Sequence, residues 1–305
     1  MAARSSSVSK TVKKAQTGGK DASKPNPRLS PALAALLKRA DQARTQFKYK
    51  EAIDLYTEAI DSGKLDPARE FDAREGRRST MMWMLPLEIW QPDLKRMAIL
   101  ARKLKDPARR ARVLIGQVQA ADPREAETAV ARGRRAVSIA RKLKDPILTA
   151  EGLLTLGYAL FMNNEIEAAA GMFRQSEEIF RARGHRMLLG RSLLFLGFMQ
   201  ERLGDPEAAV AYREQALEVF RSLGDTAGEA NALTSLSVVT SDLARQLDLA
   251  NRSLQITRVI DRSVSSSLSS MNYNNLCVTY WNLGLQRRAR DLGEMAVSMQ
   301  RTSNA

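Results

Sequence analysis

Two residues of the chain have side chains suited to nucleophilic or metal-assisted chemistry, and each occurs once. The sequence contains a single cysteine, Cys277, and a single histidine, His185. A thiolate activated by an imidazole is a common catalytic nucleophile. Cys277, however, falls where the repeat described below requires a small packed residue, and no Ser or Cys lies near His185 in sequence. We therefore predict no catalytic residues: Cys277 packs between helices, and His185 caps a turn or faces solvent.

Metal and phosphate chemistry is also unsupported by the residue types. One His and one Cys cannot supply the three or four His/Cys ligands of a zinc site. The segment Gly18-Gly19-Lys20 lacks the remaining residues of a phosphate-binding loop, and there is no Gly-x-Gly-x-x-Gly dinucleotide turn. Acidic pairs such as Glu177-Glu178 have the pattern of solvated helix faces. The sequence thus predicts a protein that is not an enzyme, with no cofactor and no metal.

The positive charge of the chain is concentrated in two segments. Its 305 residues include 48 Lys and Arg against 34 Asp and Glu, a formal net charge of +14. Residues 1–30 contain seven basic residues and one acid among Ser, Gly and Pro, which predicts a disordered basic tail before a folded domain over 31–305. Residues 95–144 contain fifteen basic residues and four acids. Since no apolar run is long enough for a membrane span and only one Cys is present, we expect a soluble cytoplasmic protein.

A leucine recurs every 40 residues in the C-terminal half of the chain, and each is followed by a small residue. In the N-terminal half, the heptapeptide Ala-Arg-Lys-Leu-Lys-Asp-Pro occurs at 101–107 and again at 140–146. A fixed period of this length indicates a repeated structural unit. Small residues at one place in the unit permit two helices to approach closely, so each unit is expected to be a helix pair. The pairs of residues are Leu156-Gly157, Leu196-Gly197, Leu236-Ser237 and Leu276-Cys277.

Aspartate residues divide the chain into units of similar length. Asp followed by Pro is typical of a helix start, because Asp accepts hydrogen bonds from free N–H groups and Pro fits the first turn. We expect Asp122 and Asp205 to begin second helices. First helices are expected to begin after Asp66, Asp106, Asp145 and Asp225. The sequence predicts seven antiparallel helix pairs, over about 32–66, 67–106, 107–145, 146–185, 186–225, 226–265 and 266–303.

The residues around the small positions resemble the tetratricopeptide repeat (TPR). The pattern Tyr273-x2-Leu276-Cys277-x2-Tyr280, followed by Ala289 in the next helix, is similar to the TPR signature. The 40-residue period is similar to that of kinesin light chains, bacterial quorum-sensing peptide receptors and maltose-regulator-type activators. The resemblance implies an all-α, right-handed superhelical solenoid of about seven antiparallel helix pairs. It also implies a concave face, lined by the first helix of each pair, that binds a peptide or protein.

The resemblance places the ligand groove on the first helices of units 4 to 7. Positions at fixed steps from the small residue give an aromatic part in units 4 and 5 and an amide-lined part in units 6 and 7. Aromatic rings bury apolar ligand groups, Asn pairs with peptide groups, and Arg191 holds a carboxylate. Packing between first helices is the alternative for the aromatic residues, and is the preferred role of Phe161 and Trp281. The candidate groove residues are Leu154, Tyr158, Arg191, Leu194, Phe198, Asn231, Thr234, Asn274, Asn275 and Val278.

The basic segment suggests an alternative function. Its Lys and Arg residues predict a positive surface that attracts nucleic acid, anionic lipid or an acidic partner. No aromatic residues interleave with these charges and no groove-entering motif is present, so a solvated basic face is preferred over a nucleic-acid site. The candidate polyanion patch comprises Lys95, Arg96, Arg102, Lys103, Lys105, Arg109, Arg110, Arg112, Arg134, Arg135, Arg141 and Lys142.

The last predicted helix carries apolar residues with no following element to cover them. Solenoids normally end in a polar capping helix, but the sequence ends at Ala305, shortly after Leu292, Met295 and Met299. We therefore expect a second copy of the chain, or a further effector domain, at this end.

Overall fold

The computed structural model describes residues 29–82, 85, 87–259 and 262–303, and these form α-helices without any β-strand. The all-α prediction is confirmed. The predicted disordered tail lies outside the described residues except for its last two positions. Ser30 there caps the first helix, with its hydroxyl accepting from the backbone N–H of Leu33 at 3.3 Å.

Fourteen α-helices within the described residues form seven consecutive antiparallel pairs, numbered 1 to 7. The first helices are α1 (Pro31–Thr45), α3 (Pro67–Met81), α5 (Pro107–Gln119), α7 (Pro146–Met162), α9 (Arg186–Arg202), α11 (Thr226–Val239) and α13 (Arg262–Asn282). The second helices are α2 (Tyr49–Asp61), α4 (Leu87–Leu104), α6 (Ala126–Lys142), α8 (Ile166–Ala182), α10 (Pro206–Leu223), α12 (Leu243–Val259) and α14 (Gln286–Ser303). Helix α13 begins inside the range 226–265 that was expected to hold only unit 6.

Aspartate side chains cap the helices where the sequence predicts it, with one exception. The carboxylate of Asp106 accepts from the backbone N–H of Ala108 at 2.8 Å, and Asp66, Asp145, Asp205 and Asp225 make equivalent bonds. Asp122 does not begin α6. It caps a short 3-10 helix, Pro123–Glu125, and α6 starts only after that turn.

Small residues lie where the two helices of a pair cross. A Cβ atom added to Gly157 would lie 2.7 Å from Cε1 of Phe173, which is closer than non-bonded atoms approach. At Gly197 an added Cβ would lie 3.0 Å from the backbone carbonyl oxygen of Ala209. Cys277 occupies the equivalent place in pair 7 and is half-buried, facing Gly293 of α14. These positions therefore limit side-chain size, and the packing role predicted for Cys277 agrees with its location.

The first helices lie on the inner side of the stack. Several neighbouring first helices contact one another, namely α1 with α3, α5 with α7, α9 with α11 and α11 with α13, whereas second helices of neighbouring pairs do not pack together to a similar extent in the described part of the chain. A row of elements that touch more closely on one side must curve toward that side. The concave surface is therefore formed by first helices, as expected of a helical-repeat solenoid.

Adding one methyl group at the crossing tests this packing. We predict that Gly157→Ala lowers the free energy of unfolding by about 1–3 kcal/mol, because the new Cβ overlaps the buried ring of Phe173. Gly171→Ala in α8 is the matched control. No atom lies within 4 Å of its added Cβ, so the better helix propensity of Ala should raise stability by about 0.5–1 kcal/mol. Urea unfolding followed by circular dichroism measures both, and equal effects would contradict the crossing geometry.

Candidate functional site

One repeat position is apolar in four successive first helices on the concave side. It holds Tyr158, Phe198, Val238 and Val278, which are spaced by 40 residues. Tyr158 and Phe198 are half-buried, whereas Val238 is 55% exposed and Val278 is 52% exposed. We call these four residues the apolar column. It runs along the concave surface and becomes more accessible from pair 4 to pair 7.

Aromatic residues of pairs 4 and 5 pack against one another at the buried end of this column. The rings of Phe161 and Phe198 meet edge to face with centroids 5.1 Å apart, which confirms the packing role expected for Phe161. Tyr158 lies 6.2 Å from Phe195, which stacks on Phe173. Burial raises the pKa of Tyr158. Leu194 is also half-buried and packs against the main apolar core.

Polar and aromatic groups of pairs 6 and 7 are accessible to solvent. Asn231 on α11 and Asn274 on α13 are exposed. Trp281, which follows Asn274 on the same face by two helical turns, is 63% exposed. The preference for a packing role of Trp281 is therefore wrong. Together with Val238 and Val278, these side chains form what we call the open end of the groove.

Three predicted groove residues do not face the groove. Leu154 is 6% exposed and belongs to the main core. Thr234 is 1% exposed, and its hydroxyl lies 2.8 Å from Ser253 Oγ and 2.5 Å from Asn272 Oδ1. Asn275 is half-buried, and its side-chain nitrogen has no hydrogen-bond partner within the described residues. These side chains are covered because the neighbouring helices pack over their part of the first helix.

Arg191 is not the open carboxylate-binding residue that the sequence predicts. It is half-buried in a polar cluster with Tyr49 and Asp225, both of which are far from Arg191 in the sequence. The Tyr49 hydroxyl donates to Oδ1 of Asp225 at 2.8 Å. Burial, then the charge of Asp225, raises the pKa of Tyr49, while the charge of Arg191 acts in the opposite direction. Arg191 therefore already lies within an intramolecular electrostatic cluster.

Pairs 2 to 4 contain buried ion pairs that sequence reasoning missed. Asp93 on α4 is 2% exposed, and the guanidinium groups of Arg74 and Arg77 on α3 each lie 2.7 Å from it. Arg78, also 2% exposed, donates to Glu75 at 2.8 Å and to Gln119 of the next pair at 2.9 Å. The only sequence signal was the density of Arg and Glu in α3, which does not reveal partners on other helices.

A further ion pair joins pairs 3 and 4 on the first helices. Arg112 of α5 donates to Glu151 of α7 at 3.3 Å. Burial raises the pKa of Glu151 even though Arg112 acts to lower it. The carboxylate is thus paired with an arginine of the preceding first helix.

The predicted polyanion patch divides into paired and unpaired residues. Arg96 donates to both carboxylate oxygens of Glu70, Arg109 binds Asp72 and Asp106, and Arg112 binds Glu151, so these three already form ion pairs within the stack. The remaining members are exposed on α4, α5, α6 and the turn after α4: Lys95, Arg102, Lys103, Lys105, Arg110, Arg134, Arg135, Arg141 and Lys142.

In the described ranges, no group of three or more His, Cys, Asp and Glu side chains is placed to hold a metal ion. The helices of the same ranges include none whose length and apolar character would let it cross a membrane.

Solved structures share this architecture, although no protein-family model and no curated protein sequence matches the chain. A Signal Transduction ATPase with Numerous Domains from Pyrococcus horikoshii, which has a tetratricopeptide-repeat sensor, is similar with a TM-score of 0.51 and 19% identity over 88% of this chain. This chain has the TPR fold. It spans only 42% of that protein, so the likeness concerns the repeat region.

Two other TPR-like structures align over most of the chain. A Rap protein complexed with Competence and Sporulation Factor has a TM-score of 0.70 and 12% identity, covering 89% of this chain and 75% of that one. The Cut9–Hcn1 hetero-tetramer of the APC/C has a TM-score of 0.63 and 14% identity, covering 87% of this chain and 46% of that one. At such identities the comparisons establish the TPR fold and leave the ligand open.

His185 lies at the start of α9, close to the Arg191 cluster. Its side chain makes no capping bond, so the capping role is not realised, and its ring instead lies 5.7 Å from that of Phe180. Nδ1 is buried and has no hydrogen-bond partner within the described residues. Burial lowers the pKa of His185, and the charges of Arg191 and Arg44 lower it further. The native state therefore favours neutral His185.

This depressed pKa predicts a dependence of stability on pH. Because the unfolded chain binds the His185 proton more tightly than the native state, the free energy of unfolding should fall as pH decreases below about 6.5. His185→Gln should reduce that fall, since the chain has no other histidine. Urea unfolding of both proteins between about pH 7.5 and about pH 5.5 measures the effect. Identical pH slopes would show that His185 is not held neutral by its surroundings.

Proposed function

We propose that this TPR solenoid binds an extended peptide segment of a protein partner at the open end of its groove. The observation that carries the proposal is the apolar column. Val238 and Val278 occupy the same repeat position and both remain more than half exposed, although pair 7 packs against pair 6. Exposed apolar side chains in a row on a concave surface are characteristic of a contact site.

The polar groups beside the column match the needs of a peptide backbone. The amide of Asn274 offers two N–H donors and a carbonyl acceptor, and Asn231 offers the same one pair earlier. Such amides pair with the C=O and N–H groups of an extended segment while its apolar side chains cover Val238, Val278 and Trp281. An extended ligand with alternating apolar residues fits this arrangement best.

Two similar structures support binding of other molecules by this architecture. The Rap protein was solved in complex with Competence and Sporulation Factor, and Cut9 was solved with Hcn1.

Glu151, which lies among the first-helix side chains of pair 4, is held in an ion pair with Arg112. We infer a recognition role without catalysis, because the described groove holds exposed apolar and amide groups rather than a nucleophile beside a base.

A single charge in the column tests the assignment. Peptides are first selected from a displayed random library on the immobilised wild-type protein, and their dissociation constants are measured by fluorescence anisotropy. We predict that Val278→Asp weakens these peptides at least about tenfold, because a carboxylate must then be desolvated against apolar ligand groups. Val278 is preferred over half-buried Phe198 because its exposure makes the substitution compatible with folding.

Val297→Asp is the matched control for this experiment. Val297 is 49% exposed, close to the 52% of Val278, but it lies on second helix α14. Its substitution should leave peptide affinity unchanged. Equal losses in both variants, or full binding by Val278→Asp, would contradict a groove on the first helices.

A further inference from the structure

The hydrogen bond between Tyr49 and Asp225 connects parts of the solenoid that the repeat order keeps far apart. It spans 176 residues, from Tyr49, the first residue of α2 directly after the α1–α2 turn, to Asp225 in the turn between α10 and α11. Bonds between successive pairs, such as Arg78 to Gln119, span about one repeat, in that case 41 residues. The stack therefore curves far enough for pair 1 to touch the edge of pairs 5 and 6.

The α1–α2 turn brings two aromatic residues to this contact. Phe47 has a positive φ (57°), as Lys144 does at another helix turn, and its ring meets that of Tyr49 edge to face at 6.1 Å. Both aromatic residues are half-buried although they lie in a two-helix turn, whereas Lys48 between them is exposed. Burial of two aromatic side chains at a turn indicates that the turn packs against something beyond its own pair.

Asp225 makes two bonds through one oxygen. Its Oδ1 accepts from the Tyr49 hydroxyl at 2.8 Å and from the backbone N–H of Gly228 at 2.9 Å, where it caps α11. The side chain is 2% exposed. The bond to Tyr49 thus ties the first helix pair to the start of α11, one of the two helices that form the open end of the groove.

Arg191 lies within the same contact. It is half-buried, and its charge interacts electrostatically with Asp225 and Tyr49. Arg191 belongs to the first helix α9 and is the one cationic residue that the sequence predicts for the groove. The α1–α2 turn thus leads into a residue, Tyr49, that interacts with this arginine.

We propose that the α1–α2 turn is a latch. When the Tyr49–Asp225 bond is closed, the turn shields Arg191 and narrows access to the concave surface at pair 5; when it opens, Arg191 is exposed to a carboxylate of the bound segment. The effect of the latch on ligand binding rests on the proposed peptide-binding function, whereas the closing of the turn over Arg191 does not. The contact consists of one charge-assisted hydrogen bond and the packing of two aromatic side chains. A contact of this size can break locally at a lower free energy than unfolding of the core requires.

Chemical labelling of arginine tests the latch without any ligand. Phenylglyoxal modifies accessible guanidinium groups, and mass spectrometry of peptides from the intact protein reports the rate at each arginine. Arg202, exposed on the same helix, is the internal reference. In the wild type, Arg191 should react at least about tenfold more slowly than Arg202, because a locally closed site reacts only through its open fraction.

Removal of one hydroxyl should open the latch. Tyr49→Phe should increase the labelling rate of Arg191 on the order of tenfold, because a hydrogen bond to a charged carboxylate is lost, and should leave Arg202 unchanged. Asp225→Asn should act in the same direction but less strongly, because the amide oxygen still accepts from Gly228 and from Tyr49 but no longer carries a negative charge. Tyr212→Phe is the control, because the Tyr212 hydroxyl has no hydrogen-bond partner within the described residues. Circular dichroism establishes that each variant keeps its helical content.

The possible results separate the latch from the groove. Fast labelling of Arg191 in the wild type, or rates unchanged in both Tyr49→Phe and Asp225→Asn, would overturn the latch whatever the groove binds. If the selected peptides bind Tyr49→Phe no more tightly than the wild type while Arg191 becomes reactive, the gating of the groove is overturned. We expect Tyr49→Phe to show faster labelling of Arg191 and tighter binding of the selected peptides. We expect neither change in Tyr212→Phe.

Discussion

The close approach of two helices at one small residue in each repeat is the constraint on which the structure depends. At Gly157 the ring of Phe173 fills the space that any Cβ would need, and at Gly197 the backbone of Ala209 does so. The crossing sets the separation of the two helices and leaves each pair with an uncovered apolar side. The next pair must therefore stack on it, and repeated stacking produces the curved surface.

The sequence predicts features that depend on neighbours within one unit, because helix geometry fixes their separation. Asp106 caps α5 and Gly157 lies at a crossing for this reason. Contacts between units cannot be predicted in this way, because helix geometry within one unit does not fix them. Thr234 and Asn274 share a repeat position, yet Thr234 is buried under pair 7 and bonded to Asn272, whereas Asn274 belongs to the last described pair and is exposed. Neither this difference nor the meeting of Tyr49 with Asp225 follows from periodicity.

The two halves of the concave side differ in how their polar groups are satisfied. Around pairs 2 to 4, buried arginines and carboxylates bind one another, as Arg78 does with Glu75. Their hydrogen bonds are therefore made within the stack. At pairs 6 and 7 the amides of Asn231 and Asn274 face solvent beside exposed apolar groups. The repeat therefore has its polar groups paired within the stack in one half of the solenoid and exposed to solvent in the other. The Tyr49–Asp225 bond connects pair 1 to the start of α11.

The register of the stack is tested most directly by placing a charge in the seam between helices. Leu196 is 3% exposed on α9, whereas Leu203, in the turn that follows, is 43% exposed. The measurement is the free energy of unfolding of Leu196→Asp beside that of Leu203→Asp, by urea titration. The account predicts a loss of at least about 3 kcal/mol for Leu196→Asp and a change within about 0.5 kcal/mol for Leu203→Asp. A Leu196→Asp protein as stable as the wild type would contradict it.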